Sequence, residues 1–373
     1  MIRIAVDARE LSGRPTGTGR YLRELLARWQ LMPEAGGAHL VLITADPTAP
    51  QRVPERRGPG ATLAWRHVAG RGGTTWEQRE LARAVQAADV QALFSPAYTT
   101  PLRVRVPIVL AMHDVSFAAH PEWFPSRLGW RMRVLARWSA RKAHTVLTLT
   151  RFSAAEIQTH LGTAASKLRV IPLAVDYLDT VLAARSATPP PPVVLFVGSI
   201  FERRHLPLLF EGVALARRAV PDLRLEVIGD NRTFPRQDLC ALAADLGIGD
   251  AVRLRDYVTD EDLHAAYASA GVFAFLSAYE GFGLTPLEAM QQGLPTVVLD
   301  TAVAREVYGA GAQYVPAGQP EAVAASLLRL VTEPEIRAAQ IAAGDAAVAR
   351  YRWDDAARLT WDALVNAARH GVQ

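Results

Sequence analysis

Cysteine is almost absent from this 373-residue chain. The single Cys240 excludes an internal disulfide and any cysteine-built metal cluster. No uncharged apolar stretch approaches the ~20 residues that a membrane-spanning helix needs. The N-terminus also lacks the basic, apolar and small-residue pattern of a secretory signal, so a cytoplasmic location is expected. No repeat or low-complexity tract stands out beyond one run of prolines, Pro189 to Pro192. Acidic residues are missing from 127–142, where Arg127, Arg131, Arg133, Arg137, Arg141 and Lys142 stand without a counter-charge.

What is present is a regular alternation. Short apolar runs such as Ile2–Val6, Pro107–Met112, Val193–Val197, Leu225–Ile228 and Gly271–Leu276 alternate with stretches of helical spacing such as Leu22, Leu25, Leu26 and Trp29. Runs without polar alternation suit strands buried on both faces, and strands alternating with helices imply α/β architecture with parallel sheets. The length suits two domains, and Ala187-Thr188 followed by the four prolines reads as a stiff linker between them. The net charge of +4 hides an asymmetry: residues 1–172 hold 24 Lys+Arg against 12 Asp+Glu, leaving 17 against 25 for the remainder. The halves therefore carry about +12 and −8.

The densest cluster of candidate chemistry is Tyr279-Glu280-Gly281-Phe282-Gly283-Leu284-Thr285-Pro286-Leu287-Glu288. It follows an apolar strand, so Glu280 falls at the strand's carboxyl end, where open α/β sheets bind ligands. Gly281 and Gly283 let backbone amides approach a ligand. Thr285 then reads as a helix N-cap, with Pro286 at the first helical position and Glu288 completing a Thr-x-x-Glu capping box. A helix start facing the crevice favours an anion such as a diphosphate. On spacing alone, Glu288 serves either the cap or a ligand.

The two glutamates resemble the Glu-x7-Glu motif of retaining GT-B glycosyltransferases of family 4, group 1, in a mannosyltransferase-like form. The similarity extends along the chain. Gly17-Thr18-Gly19-Arg20-Tyr21 is similar to the family's Gly-rich loop against the donor, and His113-Asp114 to a strand end whose histidine approaches the donor sugar. Val170 to Asp176 resembles a Val-Ile-Pro-Asn-Gly-Val-Asp segment, with Leu173-Ala174 in place of Asn-Gly. Gly198-Ser199-Ile200-Phe201-Glu202-Arg203-Arg204-His205 resembles a Gly-Thr-Ile-Glu-Pro-Arg-Lys-Asn segment, with Arg204 at the lysine position and Ser199 where many relatives carry arginine.

The resemblance implies two Rossmann-like domains facing across a cleft: an acceptor domain at 1–175, a proline-rich linker at 176–192, a nucleotide-sugar domain at 193–352, and a C-terminal helix, 353–373, returning to the first domain. It assigns Glu280 to the donor sugar, Glu288 to the ribose, His113 to the far side of the sugar and Arg204 to the leaving diphosphate; with no charge at Ser199, Arg203 is the expected second partner of the diphosphate. Gly17, Gly19, Ser199, Gly281, Phe282, Gly283, Leu284 and Thr285 would complete the donor site, with Tyr257 and Val258 near the base. Arginine at position 204 keeps the charge and adds bidentate geometry toward phosphate. Thr259 ahead of Asp260-Glu261-Asp262 reads as a capped helix start rather than a metal motif, so neither metal nor cofactor is expected.

The expected reaction is therefore metal-independent sugar transfer with retention, from GDP-mannose as first choice or from a UDP-sugar, to a glycan or polyprenyl-diphosphate-linked acceptor in surface polysaccharide synthesis. Two other readings remain: a non-hydrolysing nucleotide-sugar epimerase, and a donor-binding subunit of weak activity, for which Ser199 and Leu173-Ala174 speak. Gly17-Thr18-Gly19 does not follow the first strand as a nicotinamide-binding fingerprint would. The basic residues of 127–142 project to one side of a helix with Trp130, Val134 and Trp138, while Leu128, Met132, Leu135 and Ala136 fall opposite. That pattern suits either an anionic membrane face, on the inner side of the cell membrane, or a solvated basic surface. No nucleic-acid module is visible.

Overall fold

The computed structural model describes residues 2–13, 16–175 and 191–370. The chain divides into two compact units, Met1–Leu173 with Arg352–Gln373, and Ala174–Tyr351. The proline-rich linker falls, up to Pro190, outside the described residues.

In the first unit, β1 (Arg3–Asp7), β2 (His39–Thr44), β3 (Thr62–His67), β4 (Ala92–Ser95), β5 (Ile108–Ala111), β6 (Thr145–Thr148) and β7 (Leu168–Val170) form a parallel sheet in the order β3-β2-β1-β4-β5-β6-β7. Ile4 pairs with Leu40 on one side and Ala92 on the other. β4 and β5 are buried along their whole length, as uninterrupted apolar runs require when helices cover both faces. The helix Gly17–Trp29 buries Leu22, Leu25, Leu26 and Trp29. The C-terminal helix Trp353–His370 belongs to this unit and packs on that same surface. Its Trp361 lies 5.7 Å from the Trp29 ring and donates to the Glu34 carbonyl at 3.2 Å. Trp29 in turn donates to the Ala357 carbonyl at 2.9 Å.

In the second unit, β8 (Val193–Val197), β9 (Arg224–Ile228), β10 (Val252–Arg255), β11 (Val272–Phe275), β12 (Thr296–Leu299) and β13 (Ala312–Val315) are again all parallel, in the order β10-β9-β8-β11-β12-β13. The strand order reverses between β1 and β4 in one sheet and between β8 and β11 in the other. Those reversals open a crevice at the strands' carboxyl ends. Glu280 follows β11, and Arg203 and Arg204 follow β8.

Candidate functional site

The second unit gathers the charged groups. After β8 the chain turns at Gly198, whose φ of +138° suits glycine, and a Cβ there would meet the Arg204 guanidinium. A 3-10 turn, Glu202–Arg204, ends at His205 in the left-handed region, and the helix Leu206–Ala216 begins with Pro207 in its first turn. This geometry turns the Arg204 side chain back over the Phe275 ring, with the guanidinium carbon 4.4 Å from its centroid. Arg204 Nη2 lies 3.0 Å from Glu280 Oε1. Ser277 Oγ donates to the same oxygen at 2.7 Å. Burial works against the Arg204 charge, Glu280 restores it and Arg203 opposes it. The neighbouring Arg203 guanidinium lies over Phe201 at 4.3 Å, and its carbonyl accepts from the Ala278 amide at 2.8 Å, tying the β8 turn to the β11 turn.

Past Glu280, Gly281 and Phe282 are buried, and the Phe282 ring meets Tyr351 edge-on at 5.0 Å. Gly283 adopts φ +85° and ψ +73° and is itself the residue before the helix Leu284–Gln291, which no side chain caps. Thr285 is thus the second helical residue and not the N-cap, so the capping box read from Thr285 and Glu288 is not formed. The left-handed turn at Gly283 bends the chain into the helix two residues early. Glu288 lies half-buried on that helix. Tyr308, buried at the end of the helix Ala302–Tyr308, donates to the Gly283 carbonyl at 3.0 Å and the Phe282 carbonyl at 3.4 Å. Ser277 and Tyr308 were not singled out from sequence. A Ser-x-x-Glu spacing hints at the first, whereas the second lies 25 residues from its partner.

Farther along the same sheet end, Ser199 follows Gly198, Tyr257 is exposed and Val258 half-buried. Thr259 caps the helix Asp260–Ser269 by accepting from the Asp262 amide at 3.1 Å, and Asp262 pairs with Arg255. A separate cavity between the ends of β9 and β10, with Asn231, Arg236 and Asp256 in its wall, touches none of the donor-site residues named from sequence. Among the described residues, no cluster of three or more His, Cys, Asp and Glu side chains could hold a metal ion.

In the first unit, Gly17 and Gly19 form the first turn of a helix rather than a free loop, with Thr16 Oγ1 accepting from the Gly19 amide at 3.0 Å. A Cβ on Gly19 would meet the Glu10 carbonyl at 2.5 Å, so close packing dictates that glycine. His113 is buried beyond β5, edge-on to Tyr21 at 4.9 Å and Tyr98 at 5.9 Å. Its Nε2 lies 2.8 Å from the Pro96 carbonyl and so carries the proton. Burial pushes the ring below its ordinary pKa and favours the neutral form, against a smaller opposing pull from Asp114.

The basic segment forms the helix Ser126–Lys142. Trp130 is 63% and Trp138 56% exposed. Arg127, Arg131, Val134, Arg137, Arg141 and Lys142 lie on the same exposed side. Two assignments change: Leu128 is exposed instead of packed, and Arg133 turns to the buried edge, where it donates to the Phe117 carbonyl. Leu128 sits in the first turn, ahead of the first buried position, Gly129. No helix among the described residues is long and apolar enough to cross a membrane.

Known proteins match this arrangement over both units. The sequence profile "Glycosyltransferase Family 4" fits residues 15–177, and "Glycosyl transferases group 1" fits residues 183–346. An O-antigen chain mannosyltransferase B of Escherichia coli is 27% identical over 272 residues, 68% of this chain and 69% of that protein. A D-inositol 3-phosphate glycosyltransferase of Streptomyces griseus is 30% identical over 298 residues, 70% of this chain and 62% of its own length. The fold is similar to that of the Anabaena protein HepE, solved with UDP and glucose, at a TM-score of 0.72 and 20% identity over 98% of this chain and 100% of that one. With two parallel-sheet Rossmann-like domains of GT-B type and a family profile on each, the chain belongs to the group 1, family 4 glycosyltransferases.

Proposed function

We propose that this protein moves a hexose, with mannose from GDP-mannose as first choice, from a nucleotide diphosphate sugar to a lipid-linked glycan acceptor, with retention and without metal. The observation that carries the reading is the Arg204–Glu280–Ser277 cluster, set at the strand-order reversal between β8 and β11 beside a helix start that no side chain caps. Breaking the bond between the anomeric carbon and the phosphate oxygen builds negative charge on the diphosphate and positive character on the sugar ring. Arg203, Arg204 and the amides at Gly283 and Leu284 are assigned to the first charge. Glu280 is assigned to the sugar, Glu288 to the ribose, and Tyr257 and Val258 to the base. Removing one preorganised group of this kind costs about 2.7–4 kcal/mol of transition-state stabilisation. His113 is assigned a part in the transfer as an uncharged ring, the form that its burial in the first unit favours.

The choice of mannose rests on the mannosyltransferase name of the Escherichia coli relative, and UDP-sugars are the alternative suggested by the Anabaena complex. The acceptor's lipid carrier is argued from the basic helix Ser126–Lys142, whose exposed tryptophans and cations suit an anionic bilayer surface. The test is incubation of the purified chain with GDP-mannose, UDP-glucose and UDP-galactose in turn, plus a polyprenyl-diphosphate glycan in vesicles, reading transfer and product anomer by NMR. Transfer from GDP-mannose with the α-configuration kept is expected. Epimer formation without acceptor, or no turnover of any donor, overturns the reading. Sedimentation with phosphatidylglycerol vesicles tests the helix: binding should drop roughly 30-fold when Arg131 and Arg137 become glutamine, at about 1 kcal/mol per charge, and equal binding by that variant refutes the docking.

A further inference from the structure

We propose that Tyr308 is a positioning residue for the donor diphosphate, aiming the amides of Gly283 and Leu284 by holding the carbonyls behind them. The inference deepens the proposed function and rests on it.

The argument starts from peptide geometry. In a planar trans peptide the carbonyl of one residue and the N–H of the next point in opposite directions. The Tyr308 hydroxyl has one proton, which it donates to the Gly283 carbonyl at 3.0 Å and shares more weakly with the Phe282 carbonyl at 3.4 Å. Holding the Phe282 carbonyl on the tyrosine side sends the Gly283 N–H the other way, and holding the Gly283 carbonyl does the same for the Leu284 N–H. These two amides stand at the start of the helix Leu284–Gln291.

The tyrosine has little room to do anything else. It is 3% exposed, and a Cβ on Gly283 would run into its oxygen, so position 283 is held to glycine both by its left-handed backbone and by this contact. The residue's own element is braced from several directions. The Tyr351 hydroxyl donates to the Val307 carbonyl at 2.9 Å, the Arg350 guanidinium donates to the same carbonyl, and the Tyr314 hydroxyl donates to the Gly309 carbonyl at 2.6 Å. Tyr351 also supports the Phe282 ring. Glu280 and Arg204 both act electrostatically on the Tyr308 hydroxyl, and burial together with the Glu280 charge raises its pKa far above the ordinary phenol range. The hydroxyl therefore stays protonated and remains a donor at any working pH.

The experiment compares the full-length chain with Tyr308→Phe and Tyr314→Phe, using calorimetric binding of GDP and UDP, donor and acceptor KM, and thermal melting. Tyr308→Phe removes one oxygen and keeps the ring. It is expected to weaken diphosphate binding and raise donor KM roughly five- to tenfold, the size of one lost hydrogen bond, with acceptor KM unchanged. Tyr314→Phe, which loosens the same helix end without touching the glycine turn, is expected to leave diphosphate affinity alone. Equal affinity of the wild type and Tyr308→Phe overturns the positioning role. Equal losses in both variants overturn it too, because they would report general loosening. Failure of the wild type to bind GDP or UDP at all instead brings down the proposed function, and this inference with it.

Discussion

Replacing Glu280 with glutamine removes one negative charge while keeping shape and an oxygen for Ser277 to donate to, so it isolates the electrostatic part of the cluster. At 3.0 Å, two unit charges in an effective dielectric of 20 attract by about 5.5 kcal/mol before desolvation is counted. The side chains are 12% and 17% exposed, so much of that attraction is offset by the water both ions have given up. Removing one partner of a fully buried pair costs about 3–5 kcal/mol, because the other charge is stranded. Partial exposure and the surviving Ser277 contact bring the expected stability loss to about 2 kcal/mol. Arg203 next to Arg204 keeps it from vanishing, since the two cations already repel. The catalytic effect should exceed the structural one: if Glu280 faces the sugar as positive character develops, kcat/KM falls about 100- to 1000-fold. Urea denaturation gives the first quantity and initial rates of sugar transfer the second. A variant with the wild-type denaturation midpoint and a rate within twofold of wild type would refute both halves of this reasoning. A stability loss without a rate loss would leave Glu280 as no more than a partner for Arg204.

Gly283→Ala forces a side chain into a left-handed position and against the Tyr308 oxygen, so it should destabilise by about 1–3 kcal/mol and abolish donor binding; near-normal melting and binding would contradict the turn geometry. Trp361→Ala removes a 3% exposed ring that sits against Trp29, and a loss of about 3–5 kcal/mol by denaturation is expected; a loss below 1 kcal/mol would mean that the C-terminal helix does not hold the first unit together. For His113 the folded pKa lies below its ordinary 6.5 because of burial, so the unfolded chain binds more protons between the two values. Its contribution to stability is therefore complete above about pH 6.5 and lost as pH falls through the folded value. His113→Gln should make the stability curve less steep just below pH 6.5, where His144 and His205, which also lose basicity on burial, contribute as well; an unchanged slope would show that the ring does not titrate in this way.

The parallel sheets were readable because their strands are buried on both faces, which leaves uninterrupted apolar runs such as Val272–Phe275 that few other structures require. The helix start at Thr259 was readable for a similar reason: cap, acids and apolar continuation lie within a few residues, and the Asp262 amide meets the Thr259 oxygen. Thr285 carries the same local signs and fails to cap, because the deciding fact is the positive φ of Gly283, which a sequence permits but does not state. Leu128 fails likewise: a helical projection gives a direction, but the first turn of the basic helix begins before its packed side does. The least readable part is the support beneath the proposed donor site. Arg204 meets Glu280 across a gap of 76 positions in the chain, and Tyr308 reaches back to a glycine turn from the helix that follows the next strand. Such contacts depend on the order in which parallel strands lie side by side, and that order reverses between β8 and β11. The motif at Glu280 marks where a ligand is expected, while residues outside the motif hold its backbone in place. A relative could therefore keep the Glu-x7-Glu spacing and still bind a donor differently if it lacked a hydroxyl at the position of Tyr308.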